Sequence, residues 1–143
     1  MLFNTPSALQ LAPLIAQTIV PAFLLGAMAS FLSVLTARLG RVADRLILLS
    51  SLNDQDPATA RFKQHIPILR RRAALIHQAV SFTIFSAIAV SAMVIVSFAS
   101  AFANFSHERG VALLFVIALT ALIIALVQFA YETSLARHEV DDL

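Results

Sequence analysis

Residues 73–106 read AALIHQAVSFTIFSAIAVSAMVIVSFASAFANFS and contain no Asp, Glu, Lys or Arg. A helix needs about 20 apolar residues to cross roughly 30 Å of hydrocarbon. Taken as one helix, this stretch is about 51 Å long at 1.5 Å per residue. That exceeds the hydrocarbon thickness and implies tilt, or helical turns beyond the bilayer at one end. Residues 1–37 and 110–131 are equally free of charged side chains. The three gaps predict an all-α integral membrane protein, a single membrane domain over 1–143 with transmembrane helices at about 15–37, 73–105 and 111–131.

Composition agrees. The chain has 143 residues, 59% hydrophobic and 13% charged, where a soluble domain carries about 25% charge. The competing reading, a soluble all-helical core, would have to hide these long runs in a small volume. The pI of 9.9 and net charge of +2 raise nucleic acid as a partner. The distribution argues against it, because eight of the ten Lys and Arg residues lie between Arg38 and Arg72. A short basic connection between spans is what the positive-inside bias produces. The chain has no cysteine, which excludes disulfides, thiolate catalysis and cysteine-ligated metal. The N-terminal run lacks a basic leader region and reads as a retained first span.

Along the chain, residues 1–14 are broken by Pro6 and Pro13 and read as an interfacial lead-in. Pro21 inside the first span is expected to bend it or free a carbonyl. The segment RLGRVADRLILLSSL, 38–52, is amphipathic by spacing. Arg38, Arg41 and Arg45 form one stripe, opposite Leu39, Ala43, Leu46 and Ser50, and Gly40 is a potential hinge. NDQDP at 53–57 reads as a turn, with Asp56 as a cap and Pro57 as the first helical residue. Beyond it Phe62, Ile66, Leu69, Ala73 and Ile76 share a face. Residues 39–52 and 58–72 are therefore expected to pair as an antiparallel cytoplasmic helical hairpin within a basic 38–72 connection. Pro67 either interrupts its second helix or marks the true start of that helix. Arg70, Arg71 and Arg72 point in successive directions around the helix and would anchor its end among headgroups. The tail ETSLARHEVDDL carries four acids and one arginine. Placing 38–72 in the cytoplasm puts nine basic residues inside and only Arg109 outside, with the N-terminus periplasmic and the C-terminus cytoplasmic in a bacterial inner membrane.

Three pieces resemble one family. They are PAFLLGAMASFLSVLTARLGRVADR at 21–45, LRRRAALIHQAV at 69–80, and a closing span ending in a glutamate, here Glu132. Their order, spacing and three-span layout are similar to the DUF2721 family of bacterial membrane proteins of unknown function, over nearly the whole chain. In that family an arginine commonly follows the DR pair two positions on, whereas this chain has Ile47 there. The missing charge weakens any role in which every family arginine binds an anion. The resemblance implies fold and location and carries no activity.

The sharpest cluster is Arg38, Arg41, Asp44 and Arg45, with Arg70, Arg71 and Arg72 as further headgroup or partner contacts. Its functional reading is a site for an anion or an anionic lipid, Asp44 orienting Arg41. Its plain reading is topology control and solvation. Arg38 lies nearest the bilayer and is a candidate partner for Glu132, since a charge at that depth is costly unless paired or snorkelled. Pro21, Ala22, Gly26 and Ser30 are candidate packing residues; the last three recur every four positions, as Thr83, Ala87 and Ser91 do on the second span and Ala121 and Ala125 on the third. Such faces serve either packing within the chain or self-association. His65, His77, His107 and His138 show no metal-motif spacing, so no metal or other cofactor is expected. The glycines, Gly26, Gly40 and Gly110, are too scattered for a phosphate cradle, and no serine stands in GxSxG.

The chain is thus expected to be a noncatalytic scaffold or accessory protein. Its partners would be membrane lipids, anionic ones included, and a second copy or another membrane protein, with no nucleic acid. The alternative is a subunit of a small oligomeric channel or transport component, for which Ser81, Ser86, Ser91 and Ser97 would be the polar stripe.

Overall fold

The computed structural model describes residues 8–52, 57–103 and 108–141. Four helices account for almost all of them: α1 (Ala8–Ser50), α2 (Pro57–Lys63), α3 (Ile66–Ala103) and α4 (Glu108–Asp141). The architecture is all-α. Three helices, α1, α3 and α4, are long and apolar enough to span a membrane. Their surfaces are apolar where a soluble protein's would be polar. Phe23 is 77% exposed and Ile95 68%, and Ile15, Ile88, Leu113 and Val127 are also exposed. In water so much bare hydrocarbon would drive aggregation; in lipid it is the solvated surface.

α1 is continuous through Pro13 and Pro21. It closes on serines: the Ser50 and Ser51 hydroxyls donate to the carbonyls of Ile47 and Leu48, both at 2.8 Å. The Ser51 backbone N–H reaches the same two carbonyls, at 3.1 and 3.3 Å, so the hydroxyls reinforce the helix end. Pro57 opens α2, where its missing N–H is not needed. Arg61 and Lys63 lie in the last turn of α2, the end where the helix dipole favours cations. Pro67 is the second residue of α3, so of its two readings it marks the start of a helix. The expected turn at 53–56, the 104–107 part of the outer connection, and the lead-in before Ala8 lie outside the described residues.

Among the described residues no extra helix forms a separate hairpin between the first two spans. Residues 39–50 are the C-terminal part of α1 and residues 66–72 the N-terminal part of α3, with only the short α2 between. Gly40 does not hinge α1. Glycine inside a helix costs about 1 kcal/mol, and Val42 and Leu49, both buried, continue the packed face beyond it.

That face has a period of seven. α1 buries Pro21, Met28, Leu35, Val42 and Leu49. α3 buries Leu69, Ile76, Thr83 and Val90 in one register and Ala79, Ser86 and Met93 in another. α4 buries Ala118, Ala125 and Glu132. Seven-residue spacing keeps a single seam of each helix against its neighbours, as in coiled coils and most membrane bundles.

The chain divides into two compact units. One contains the described residues of Met1–Ser30 and Thr83–Ile123. Its core is Met28, Ala89, Val90 and Ala118, flanked by Leu24, Leu25, Ala87 and Leu122. The other contains the described residues of Phe31–Phe82 and Ile124–Leu143. Leu35, Val42 and Leu49 of α1 pack there on Leu69, Ile76 and Ala79 of α3 and on Ala125 of α4.

Candidate functional site

The Phe31–Phe82 and Ile124–Leu143 unit holds the charged chemistry. Glu132 occupies a seam position of α4, seven residues after Ala125, and its side chain is fully buried. Arginines from two other helices reach it. The Arg38 guanidinium donates through Nη1 to Glu132 Oε2 at 2.9 Å. Arg72 donates through Nε to Glu132 Oε1 at 3.1 Å, with its Nη2 at 3.0 Å from the same oxygen. Both carboxylate oxygens are therefore engaged. A bare buried carboxylate would cost several kcal/mol, and two charge-assisted contacts offset that cost. One ionic knot thus ties α1, α3 and α4.

Arg38 is held on further sides. Its Nη1 also donates to the Thr133 hydroxyl at 3.2 Å. Its guanidinium lies 4.9 Å from the centroid of the Phe129 ring, a cation–π distance. Phe129 in turn meets Phe31 edge-on, with centroids 5.4 Å apart and planes at 86°. The Arg38 side chain is 31% exposed, against 14% for Arg72.

A cavity of about 340 Å³ opens beside this knot. Arg38, Arg41, Arg45, Arg72 and Glu132 form its polar wall, and Val42, Leu69 and Ala136 its apolar wall. Helical spacing explains the gathering: Arg38, Arg41 and Arg45 stand three and four residues apart, on one side of α1. Among the described residues the lining holds four guanidiniums and one carboxylate.

The remaining basic residues take separate places. Arg70 and Arg71 are exposed and Arg72 is half-buried. Arg71 lies 5.9 Å from the centroid of Tyr131, so the three arginines do not act alike. Asp44 is exposed, and among the described residues no ion pair joins it to Arg41; the expected orienting role has no contact behind it.

The small-residue faces divide similarly. Thr83, Ala121 and Ala125 are buried, Ala87 is half-buried and Ser91 is exposed. On α1, Pro21 is buried but Ala22, Gly26 and Ser30 are exposed. A Cβ added at Gly26 would meet nothing within 4 Å. The packing face of α1 follows the seven-residue seam through Pro21 and Met28, which turns the four-residue stripe away from the chain's own helices. Leu25 lies against the Met28 cluster.

The four serines hydrogen-bond to backbone carbonyls within the chain. Ser81, Ser91 and Ser97 donate to carbonyls of their own helix, those of His77, Ala87 and Met93. Ser86 is buried and donates across to the Ala118 carbonyl at 2.6 Å. His77 is exposed, and Gln128 donates to Gln78 at 3.3 Å. Among the described residues no group of three His, Cys, Asp or Glu side chains is placed to hold a metal ion.

Sequence reasoning paired Arg38 with Glu132 but assigned Arg72 to headgroups. Register could have found it. Arg72 stands seven residues before Ala79, and Glu132 seven after Ala125, so both lie on packed seams.

The sequence pattern of the DUF2721 family, described as a protein of unknown function, matches residues 18–141. The match covers most of the chain, and the chain belongs to that family. No curated protein and no solved structure matches it.

Proposed function

Taking membership of the DUF2721 family as the premise, we propose that this three-span protein is a noncatalytic scaffold or accessory protein of a bacterial inner membrane, working through association with a second copy or another membrane protein. The observation that carries the reading is the open face of α1. Ala22, Gly26 and Ser30 are exposed together while the opposite side of the helix is packed. Small residues at this spacing let a further helix approach closely in lipid, where packing rather than hydrophobic burial drives association. The buried ion pairs of Glu132 support the same reading, since both carboxylate oxygens are spent on holding helices together.

The orientation places 38–72 and the C-terminal tail in the cytoplasm, from the arginine bias. Single cysteines at Ser7 and Ser106 are expected to react with an impermeant thiol reagent in intact cells, and those at Asn53 and Ser134 only after permeabilisation. External labelling at position 53 would reverse the orientation.

Association is tested by Gly26→Leu. Native mass measurement after gentle solubilisation is expected to show oligomers, or a bound membrane protein, for the unaltered chain and a shift to free monomer for the variant. Val20→Leu, at an exposed position on another side of α1, is expected to leave the distribution unchanged. A lone monomer throughout would sink the scaffold reading.

A further inference from the structure

We infer that the arginine-lined cavity is a binding pocket for a phosphate ester, with Arg41 and Arg45 as its principal ligand contacts. Four observations converge. The cavity measures about 340 Å³, within the roughly 300–1,000 Å³ range of small-ligand sites and roomier than a bare ion needs. Its lining has four guanidiniums, whose planar forks match phosphate oxygens two at a time. The one carboxylate among its described lining residues, Glu132, does not oppose an incoming anion at full strength, because Arg38 holds Oε2 and Arg72 holds Oε1. Those same contacts fix two of the four guanidiniums before any ligand arrives, which lowers the ordering cost of binding. Arg41 and Arg45 differ from them in being exposed to an incoming ligand. Val42, Leu69 and Ala136 give the pocket an apolar side, suited to the carbon part of an ester rather than to a hydrated inorganic ion.

The phosphate has two possible sources, a lipid headgroup or a soluble ester. The inference rests on the proposed reading only for the side of the membrane that the pocket faces. The test uses the full chain with two glycerol phosphates as probes. One is phosphatidylglycerol in nanodiscs, set against phosphatidylcholine and read by native mass measurement of retained lipid. The other is water-soluble glycerol phosphate, read by calorimetry in neutral detergent. Retention of phosphatidylglycerol alone assigns the pocket to a headgroup; glycerol phosphate that binds and displaces the lipid assigns it to a soluble ester.

In either arm Arg41→Gln and Arg45→Gln are each expected to weaken binding about tenfold. Arg61→Gln and Arg70→Gln remove the same charge outside the lining and are expected to stay within about twofold of the unaltered chain. Arg41→Lys keeps the charge but loses the fork, and is expected to bind several-fold more weakly. On the unaltered chain, glycerol phosphate or phosphatidylglycerol is expected to protect Arg41 from phenylglyoxal, which tests the pocket even if a variant misfolds. Equal weakening by pocket and control variants, a lysine equal to arginine, absence of protection, or no preference over phosphatidylcholine would each overturn the inference. Lost phosphate binding with oligomers intact overturns the pocket alone; monomers that still bind phosphate overturn the scaffold alone.

Discussion

The two units solve the same problem, holding helices together where water does not drive them together, with different chemistry. In the Met1–Ser30 and Thr83–Ile123 unit the core is apolar and partly small, Met28, Ala89, Val90 and Ala118. A buried polar contact there is the Ser86 hydroxyl on the Ala118 carbonyl, at 2.6 Å. In the Phe31–Phe82 and Ile124–Leu143 unit an apolar core is capped by Glu132 between Arg38 and Arg72. The first relies on close packing, which is weakly sensitive to any one polar group. The second relies on a buried charge, whose partners matter far more than their area. The lesson is that a charged cluster after an apolar run need not be only a topology signal; part of this one is structural, and part lines a cavity.

The hardest blow to that contrast is Arg72→Gln. It leaves a fully buried carboxylate with Arg38 alone, and a loss of about 3 kcal/mol is expected, read from reversible unfolding in neutral detergent. Adding Glu132→Gln is expected to recover part of the loss, because the uncompensated charge disappears with it. A neutral Arg72→Gln would place the second unit on the same footing as the first.

Met28→Ala tests the packed unit. Met28 is fully buried, and truncation is expected to cost about 2 kcal/mol, toward the lower end for core cavities. An Arg72→Gln variant less harmful than Met28→Ala would invert the comparison.

Ser86→Ala sharpens it at a lower level. Hydrogen bonds between membrane helices average about 0.6 kcal/mol, so a small fall in unfolding free energy is expected despite the short distance. A loss as large as that of Arg72→Gln would show that polar contacts dominate both units.

The smallest expected effect is that of Gly26→Leu on the monomer, within about 0.5 kcal/mol of zero, since nothing lies within 4 Å of an added Cβ. Its effect belongs to the oligomer distribution. Marked destabilisation of the isolated monomer would mean that the open face is packed after all.

The charge-free stretches made the spans legible because hydrocarbon solvates neither a charge nor a free backbone group, and that constraint acts along the chain. Pro57 and Pro67 marked helix starts for a similarly local reason, a missing N–H that only a first turn tolerates. That residues 39–50 and 66–72 are unbroken parts of α1 and α3 is not evident from local breakers alone. Gly40 looks like a hinge in isolation, yet Val42 and Leu49 pack beyond it and keep α1 whole. The Ala22–Gly26–Ser30 stripe was visible in the sequence, but whether it met the chain's own helices was not.

By itself, then, the sequence determined three helices long and apolar enough to cross a membrane and made Arg38 and Glu132 a candidate pair, because each follows from the cost of placing a group in lipid. Only the tertiary structure decided which way each helix faces. Contact depends on the angular register of one helix against two others, a property that no single segment contains. That register took Arg72 from the headgroups to Glu132, left Gly26 open, and gathered four arginines around one cavity.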